Sequence, residues 1–95
     1  MTPWLALFAA CVAVDGDSLA CGPDRVRLRN VNAVELHQPG GPEAKHALAS
    51  LVAGQPVRCR IFARDRYSRM IGECSTPRTP SLDDALIASG HGRRR

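Results

Sequence analysis

Apolar and polar positions alternate with a period of two in several short segments, and this pattern predicts a mainly β protein. Across residues 25–31, Val26 and Leu28 alternate with three arginines, which predicts a strand with one apolar face and one cationic face. Residues 57–61 show the same alternation of apolar side chains with arginines. Each of these segments is therefore expected to lie with one face on a core and its guanidinium groups on the other.

The remaining elements follow from turn residues and from helical spacing. Pro42 in a first turn and Glu43 near the positive end of the helix dipole favour a helix at 42–52, and apolar spacing predicts a second at 82–89. The predicted strands are 5–14, 18–21, 25–31, 57–61 and 69–74. Three strands, a helix, two strands and a helix are expected of an α+β fold built on a five-stranded Greek-key barrel of the OB type. The predicted domain spans residues 5–92, and residues 93–95 form a basic tail.

The apolar run at 4–14 has two interpretations. It is interpreted mainly as the first strand, buried in part on both faces, because it runs without a break into the turn at Asp15. The alternative is the remnant of a secretory signal, although the run lacks a positively charged segment before it. The run is too short to span a bilayer.

Composition restricts the class of protein. With 95 residues and 44% hydrophobic side chains, the chain is expected to form one globular domain with a small core. The net charge is +4, and 12 of the 13 basic residues are arginine. Arginine binds phosphate or carboxylate through two parallel donors, so the bias favours a polyanionic partner. A GC-rich coding sequence would produce the same bias without any chemical reason.

Four cysteines are placed as pairs around two turns. Cys11 and Cys21 flank the turn at Asp15, and Cys59 and Cys74 flank the turn at 65–68. Either pair is suited to neighbouring positions on paired strands, and the absence of a C-x-x-C pair argues against a zinc site. Two disulfides and two pairs of buried thiols are both compatible with this spacing, and disulfides would favour an exported protein.

The turn Asp15-Gly16-Asp17 carries the strongest chemical signal. Two short carboxylates directly after an apolar run form a suitable site for a hard cation. Asp17, with a second oxygen from Asn32, is predicted to bind Ca²⁺, which accepts several oxygen ligands in flexible geometry. Asn32 opens a loop that also contains Glu35.

Phosphodiester hydrolysis needs a positioned phosphate, an activated water and neutralisation of the charge that develops in the transition state. Glu35 is predicted to orient or deprotonate the water. Arg27, on the third predicted strand, and Arg69, after the turn at 65–68, are predicted to bind the phosphate oxygens.

Taken together, the motifs VDGDSL, RVRLRNVNAVE, DRYSR and LDDALIASGHG resemble the staphylococcal nuclease-like (thermonuclease) family, from Val14 to about Gly92 and in the order of that family. The resemblance implies an OB-fold barrel with added helices that binds Ca²⁺ and cuts single-stranded or frayed DNA and RNA. It implies that Asp17 is a metal ligand supported by Asp15, and that Tyr67 lies beside the bound nucleotide. It assigns catalytic roles to Arg27, Glu35 and Arg69.

The chain departs from the family pattern at three positions. The family usually reads D-A-P-E or D-T-P-E where this chain has Asn32-Ala33-Val34-Glu35, so one anionic metal ligand becomes an amide. Val34 in place of proline frees the backbone that directs Glu35. Ser68 stands where glycine is typical, which matters if the turn requires a positive φ.

The sequence therefore predicts a metal-dependent endonuclease, favoured as a monomer, that acts on single-stranded DNA or RNA and has no membrane partner. The alternative is a non-catalytic OB module that binds nucleic acid or protein through the same basic face, as Asn32 and Val34 suggest. The arginine tail at 93–95 is either incidental or adds attraction for phosphates. A secreted or periplasmic location is favoured over the cytoplasm.

Overall fold

A computed structural model describes residues 2–95, and within them the chain forms eight strands and two helices. The strands are β1 (Trp4–Phe8), β2 (Val12–Ala13), β3 (Ser18–Cys21), β4 (Asp24–Leu28), β5 (Val31–Asn32), β6 (Val57–Arg64), β7 (Met70–Ser75) and β8 (Arg93–Arg94), and the helices are α1 (Gly41–Val52) and α2 (Leu82–Ala88).

In this part of the chain, six strands form one sheet in the order β1-β6-β7-β4-β3-β2, and β5 and β8 form a separate ribbon. Only β4 and β7 run parallel within the larger sheet. β1 and β2 lie at its opposite edges, yet only residues 9–11 separate them, so the two strand ends are at most about 14 Å apart. A flat sheet of six strands would be about 24 Å wide. The sheet must therefore curl, and it forms the half-barrel of an OB-like α+β fold.

The predicted fold class is confirmed, but the strand count differs slightly. The predicted first strand is two strands, β1 and β2, because the chain turns at 9–11 to reach both edges of the curled sheet. The prediction of partial burial on both faces is wrong for β1, where Leu5 and Leu7 are 52% and 67% exposed and no residue is buried. The predicted strand at 25–31 ends at Leu28 and resumes as β5.

The core lies inside the curled sheet and is covered by both helices. From α1, Ala44, Leu48 and Val52 are buried against it. From α2, Leu82 and Leu86 are fully buried. Within residues 2–95 neither helix has the length and apolar character needed to cross a bilayer.

The cysteines form two disulfides, which decides between the two interpretations of their spacing. Cys59 and Cys74 are opposite each other in the β6·β7 pairing, with their Cα atoms 4.1 Å apart. Cys11 and Cys21 join the start of β2 to the end of β3, with Cα atoms 4.3 Å apart. The bridges thus close the two hairpins that carry the turns at 15–17 and 65–68.

Ser68 has φ 63°, so the turn between β6 and β7 does require the left-handed conformation. A side chain in that region costs roughly 1 kcal/mol. Replacing Ser68 by glycine is expected to raise the free energy of unfolding by about 0.5 kcal/mol, because relief of strain exceeds the added entropy of the unfolded chain. Urea denaturation measures this change. Ser68→Ala is the control and should give no gain, and a destabilised Ser68→Gly would contradict the prediction.

Candidate active site

The acidic turn between β2 and β3 is packed tightly against the rest of the molecule. The Asp15 carboxylate accepts a hydrogen bond from the backbone N–H of Asp17 at 3.0 Å, which fixes the turn. Gly16 is buried, and a Cβ atom there would lie 2.6 Å from Cβ of Ala33 and 2.7 Å from Cβ of Ala44. The glycine therefore allows the turn to pack between α1 and the segment after β5.

Asp17 is the central side chain of the site. Its Oδ2 accepts a hydrogen bond from the backbone N–H of Ala33 at 2.9 Å and lies 3.4 Å from Nη2 of Arg27. The Asp17 and Arg27 side chains are 14% and 10% exposed, so this ion pair is largely shielded from water. The backbone carbonyl of Asp17 also accepts a hydrogen bond from Leu28 N–H at 2.9 Å. One residue thus connects the acidic turn to both β4 and the segment after β5.

Arg27 points inward, which corrects the prediction of a cationic face bearing three equivalent guanidinium groups. Arg25 and Arg29 are exposed, whereas Arg27 is buried. Its Nη1 donates to the carbonyl oxygens of Leu28 and Val31, the latter at 2.7 Å. The backbone bends back after β4 and wraps around this guanidinium, and a period of two cannot reveal such a bend.

The pKa of Asp17 is raised and the pKa of Arg27 is lowered. Burial raises the pKa of Asp17, and the nearby Asp15 adds to this effect, while the Ala33 hydrogen bond and the Arg27 charge oppose it. Burial lowers the pKa of Arg27, and the charges of Arg95 and Arg69 lower it further against the opposing effect of Asp17. The site therefore gathers several guanidinium groups around two carboxylates.

Asn32, a predicted metal ligand, lies beside Asp17, but its amide oxygen is engaged. Oδ1 of Asn32 accepts a hydrogen bond from Nη2 of Arg27, and the residue is otherwise exposed. No three Asp, Glu, His or Cys side chains cluster closely enough within residues 2–95 to hold a metal ion. The available oxygens are two carboxylates, from Asp15 and Asp17, and one amide. Hard oxygen donors of this kind suit a divalent cation.

Glu35 is not brought into contact with the other predicted catalytic residues. Its side chain is 71% exposed, and its carboxylate lies 3.5 Å from Nε2 of His37. Within the part of the chain that is described, it forms no hydrogen bond or ion pair with Asp17, Arg27 or Arg69. Glu35 belongs to the segment 34–40, in which every residue is exposed.

Arg69 reaches the site from the other hairpin. Its Nε donates to Asp65 at 2.7 Å, and its Nη1 lies 3.5 Å from Oγ of Ser18, directly after the acidic turn. Burial raises the pKa of Asp65, but hydrogen bonds from Arg69 and Tyr67 outweigh this effect and hold the pKa below its usual value. Tyr67 is 66% exposed, with the Arg69 guanidinium carbon 5.8 Å from its ring centre. The structure thus groups Asp15, Asp17, Arg27, Asn32 and Arg69, leaves Tyr67 at the rim and leaves Glu35 outside.

Two features near the site were not predicted from the sequence. Asp65 positions Arg69, and the signal for this role was the i, i+4 spacing within DRYSR. The arginines at 93–95 were interpreted as a tail, yet Arg93 and Arg94 pair with β5 beside Asn32. No local pattern marked them as a strand.

Comparison with known proteins places these residues in a wider context. A family model described as staphylococcal nuclease homologue matches residues 25–94. An uncharacterized endonuclease of Escherichia coli O157:H7 is 33% identical over 81 residues, which cover 81% of this chain and 53% of that protein. Succinoglycan biosynthesis protein ExoI of Rhizobium meliloti (strain 1021) is 36% identical over 89 residues, covering 82% of this chain and 47% of that protein. A probable staphylococcal-like nuclease, CAN1, of Oryza sativa subsp. japonica is 36% identical over 58 residues, covering 61% of this chain and 18% of that protein. The chain spans about half the length of the first two of these relatives.

Proposed function

Because this chain belongs to the family of staphylococcal nuclease homologues, we propose that it is an endonuclease that uses a divalent cation, Ca²⁺, to cut single-stranded DNA or RNA. The family and the nuclease names of several relatives support a nuclease. The observation that carries the proposal is the shielded Asp17–Arg27 pair, with Asn32 and Arg69 beside it.

Asp15, Asp17 and Asn32 are the residues that would hold the cation. When bound, it supplies positive charge that neutralises the phosphate and favours attack by water. Because Asn32 contributes an uncharged oxygen, we expect weaker cation binding than three carboxylates would give.

Arg27 and Arg69 are the phosphate-binding groups in this proposal. In the free protein, Nη2 of Arg27 donates a hydrogen bond to Asn32. When substrate binds, Nη2 donates to a phosphate oxygen instead. Arg69 is held through its Nε by Asp65, and its Nη1 lies 3.5 Å from Oγ of Ser18, the residue after the acidic turn. The two guanidinium groups thereby hold the phosphate and stabilise the charge that develops on its oxygens.

Glu35 orients and deprotonates the attacking water in the same proposal. Because Glu35 is exposed on the segment 34–40, this segment has to close over the bound strand to bring Glu35 to the phosphate. In proteins without bound substrate, the hydrogen bonds of a general base are often long or poorly aligned. Tyr67, exposed at the opposite rim, packs against the sugar or base of the nucleotide.

The two disulfides support an exported protein, since such bridges persist mainly in oxidising compartments. The proposed location is accordingly secreted or periplasmic, and the proposed state is a monomer.

A non-catalytic OB module remains the second candidate. It is favoured by one observation, the exposure of Glu35 away from the Asp17–Arg27 pair. Such a module would bind single strands through the same arginines and would not cut them.

Cleavage of heat-denatured DNA in Ca²⁺ and in chelator tests the proposal. The wild type is expected to cut only with Ca²⁺, and Glu35→Gln to lower the rate by about a hundredfold or more, since it removes the general base. Glu43→Gln is the matched control, because Glu43 is also an exposed glutamate near the site and has no predicted role in catalysis. Asn32→Asp completes the series and should raise the rate at limiting Ca²⁺ by adding an anionic ligand. Binding without cleavage in the wild type and in Asn32→Asp would leave only the second candidate.

A further inference from the structure

Strand β8 brings three consecutive arginines to the edge of the candidate site. It pairs antiparallel with β5, so that Arg93 is opposite Asn32 and Arg94 is opposite Val31. The backbone N–H of Arg95 donates to the carbonyl of Asn30 at 2.9 Å, which extends the pairing by one residue. The arginines are therefore fixed to the same segment that holds Asn32.

The three side chains do not point the same way, because successive residues of a strand face opposite sides. Arg93 lines a cleft of about 600 Å³ whose walls also include Asn32 and Ala33, next to Asp17. Arg94 faces away from this cleft and forms an ion pair with Asp84 at 2.8 Å. By the same alternation, Arg95 returns to the side that Arg93 occupies, because its backbone continues the pairing with the segment before β5.

The position of β8 depends on a close approach at Gly92. A Cβ atom at Gly92 would overlap Cγ2 of Val31 and would lie 3.2 Å from the carbonyl oxygen of Asn32. No other residue fits without moving the strand. The ribbon of β5 and β8 is thus built so that the arginines lie directly against the segment after β4.

Charge indicates what these side chains bind. Arg93 and Arg95 are exposed, and within residues 2–95 neither forms an ion pair with a carboxylate, whereas Arg94 does. Of the nearby carboxylates, Asp17 is paired with Arg27 and Asp65 with Arg69, and Glu43 lines the cleft without an ion pair to Arg93. Guanidinium groups that form no ion pair at the mouth of such a cleft are suited to phosphate.

We propose that Arg93 and Arg95 form a second phosphate subsite, which binds a backbone phosphate of the single strand next to the phosphodiester that is cut. This subsite rests on the proposed nuclease function for its role in the reaction, although its binding can be measured without cleavage. It extends the site from one phosphate to at least two and makes the affinity depend on strand length.

The binding test uses the full chain in chelator, where no cutting occurs, with a fluorescein-labelled thymidine oligonucleotide titrated at several salt concentrations. The double variant Arg93→Ala/Arg95→Ala is expected to weaken binding by about tenfold and to lower the salt slope by about 0.7, which corresponds to one lost phosphate contact. Arg94→Ala is the matched control and should change affinity by less than about twofold. The double variant with lysines at both positions should keep the salt slope.

The cleavage test compares this oligonucleotide with a small chromogenic thymidine phosphodiester, which has no neighbouring phosphate. The alanine double variant should raise KM on the oligonucleotide without changing kcat, and should leave the small substrate unaffected.

An unchanged affinity and salt slope in the double variant would overturn the subsite, as would an equal loss in Arg94→Ala. Failure of the wild type to cut either substrate would contradict the nuclease alone, because the binding measurements in chelator still decide the subsite.

Discussion

Replacing Arg27 by alanine is expected to lower nuclease activity by about a hundredfold or more and the free energy of unfolding by about 3 kcal/mol. The activity falls because the phosphate loses a donor in a shielded site. The stability falls because the Asp17 carboxylate, 14% exposed, loses its counter-charge, and because the carbonyl groups of Leu28 and Val31 lose their donor. Urea denaturation and cleavage of heat-denatured DNA measure the two effects.

Two further variants separate these effects. Arg25→Ala removes an exposed charge from the same strand and should change neither quantity strongly. Combining Arg27→Ala with Asp17→Asn should restore part of the lost stability without restoring activity, since the uncompensated charge is gone. If Arg27→Ala were as stable as the wild type, the Asp17–Arg27 pair would be exposed to water in solution, which would contradict the structure.

Reduction of both disulfides is expected to cost about 6 kcal/mol, which is comparable to the whole stability of a domain of this size. The bridges close loops with sequence separations of 10 and 15, and each contributes about 3 kcal/mol by limiting the unfolded chain. Urea midpoints with and without a thiol reductant measure the difference.

Removing one bridge at a time provides the control for reduction. The Cys59→Ala/Cys74→Ala variant should lose about half of the stability that the two bridges contribute. Its urea midpoint should respond to reductant only through Cys11–Cys21. Because Cys11–Cys21 closes the hairpin that carries Asp15 and Asp17, its loss should also reduce binding of the oligonucleotide. Midpoints that do not respond to reductant would contradict a stabilising role for the bridges.

Much of the fold could be predicted from the sequence because its signals are local. Alternating side chains, the turn residues around Asp15 and the helical spacing near Leu48 each depend on a few neighbouring residues. The pairing of cysteines across hairpins could be anticipated for the same reason, although the spacing alone did not decide between bridges and thiols.

The remaining features depend on contacts between distant parts of the chain. The split of the first strand results from the curl of the whole sheet, which joins its two edges through residues 9–11. Arg27 is buried because the chain folds back over it at Val31, and β8 exists because β5 offers it a partner. The exposure of Glu35 is likewise set by the path of the segment after β5, which its own sequence does not fix.

The packing at Gly16 determines which part of the site can move during turnover. With Ala33 on one side and Ala44 on the other, the acidic turn has no room to shift without displacing α1. The segment 34–40 is exposed throughout, and the carbonyl oxygens of Glu35 and Leu36 are its close contacts, against Gly41 at the start of α1. In the proposed mechanism, release of the cut strand would depend on displacement of this outer segment, while the carboxylates would keep their positions from one reaction cycle to the next.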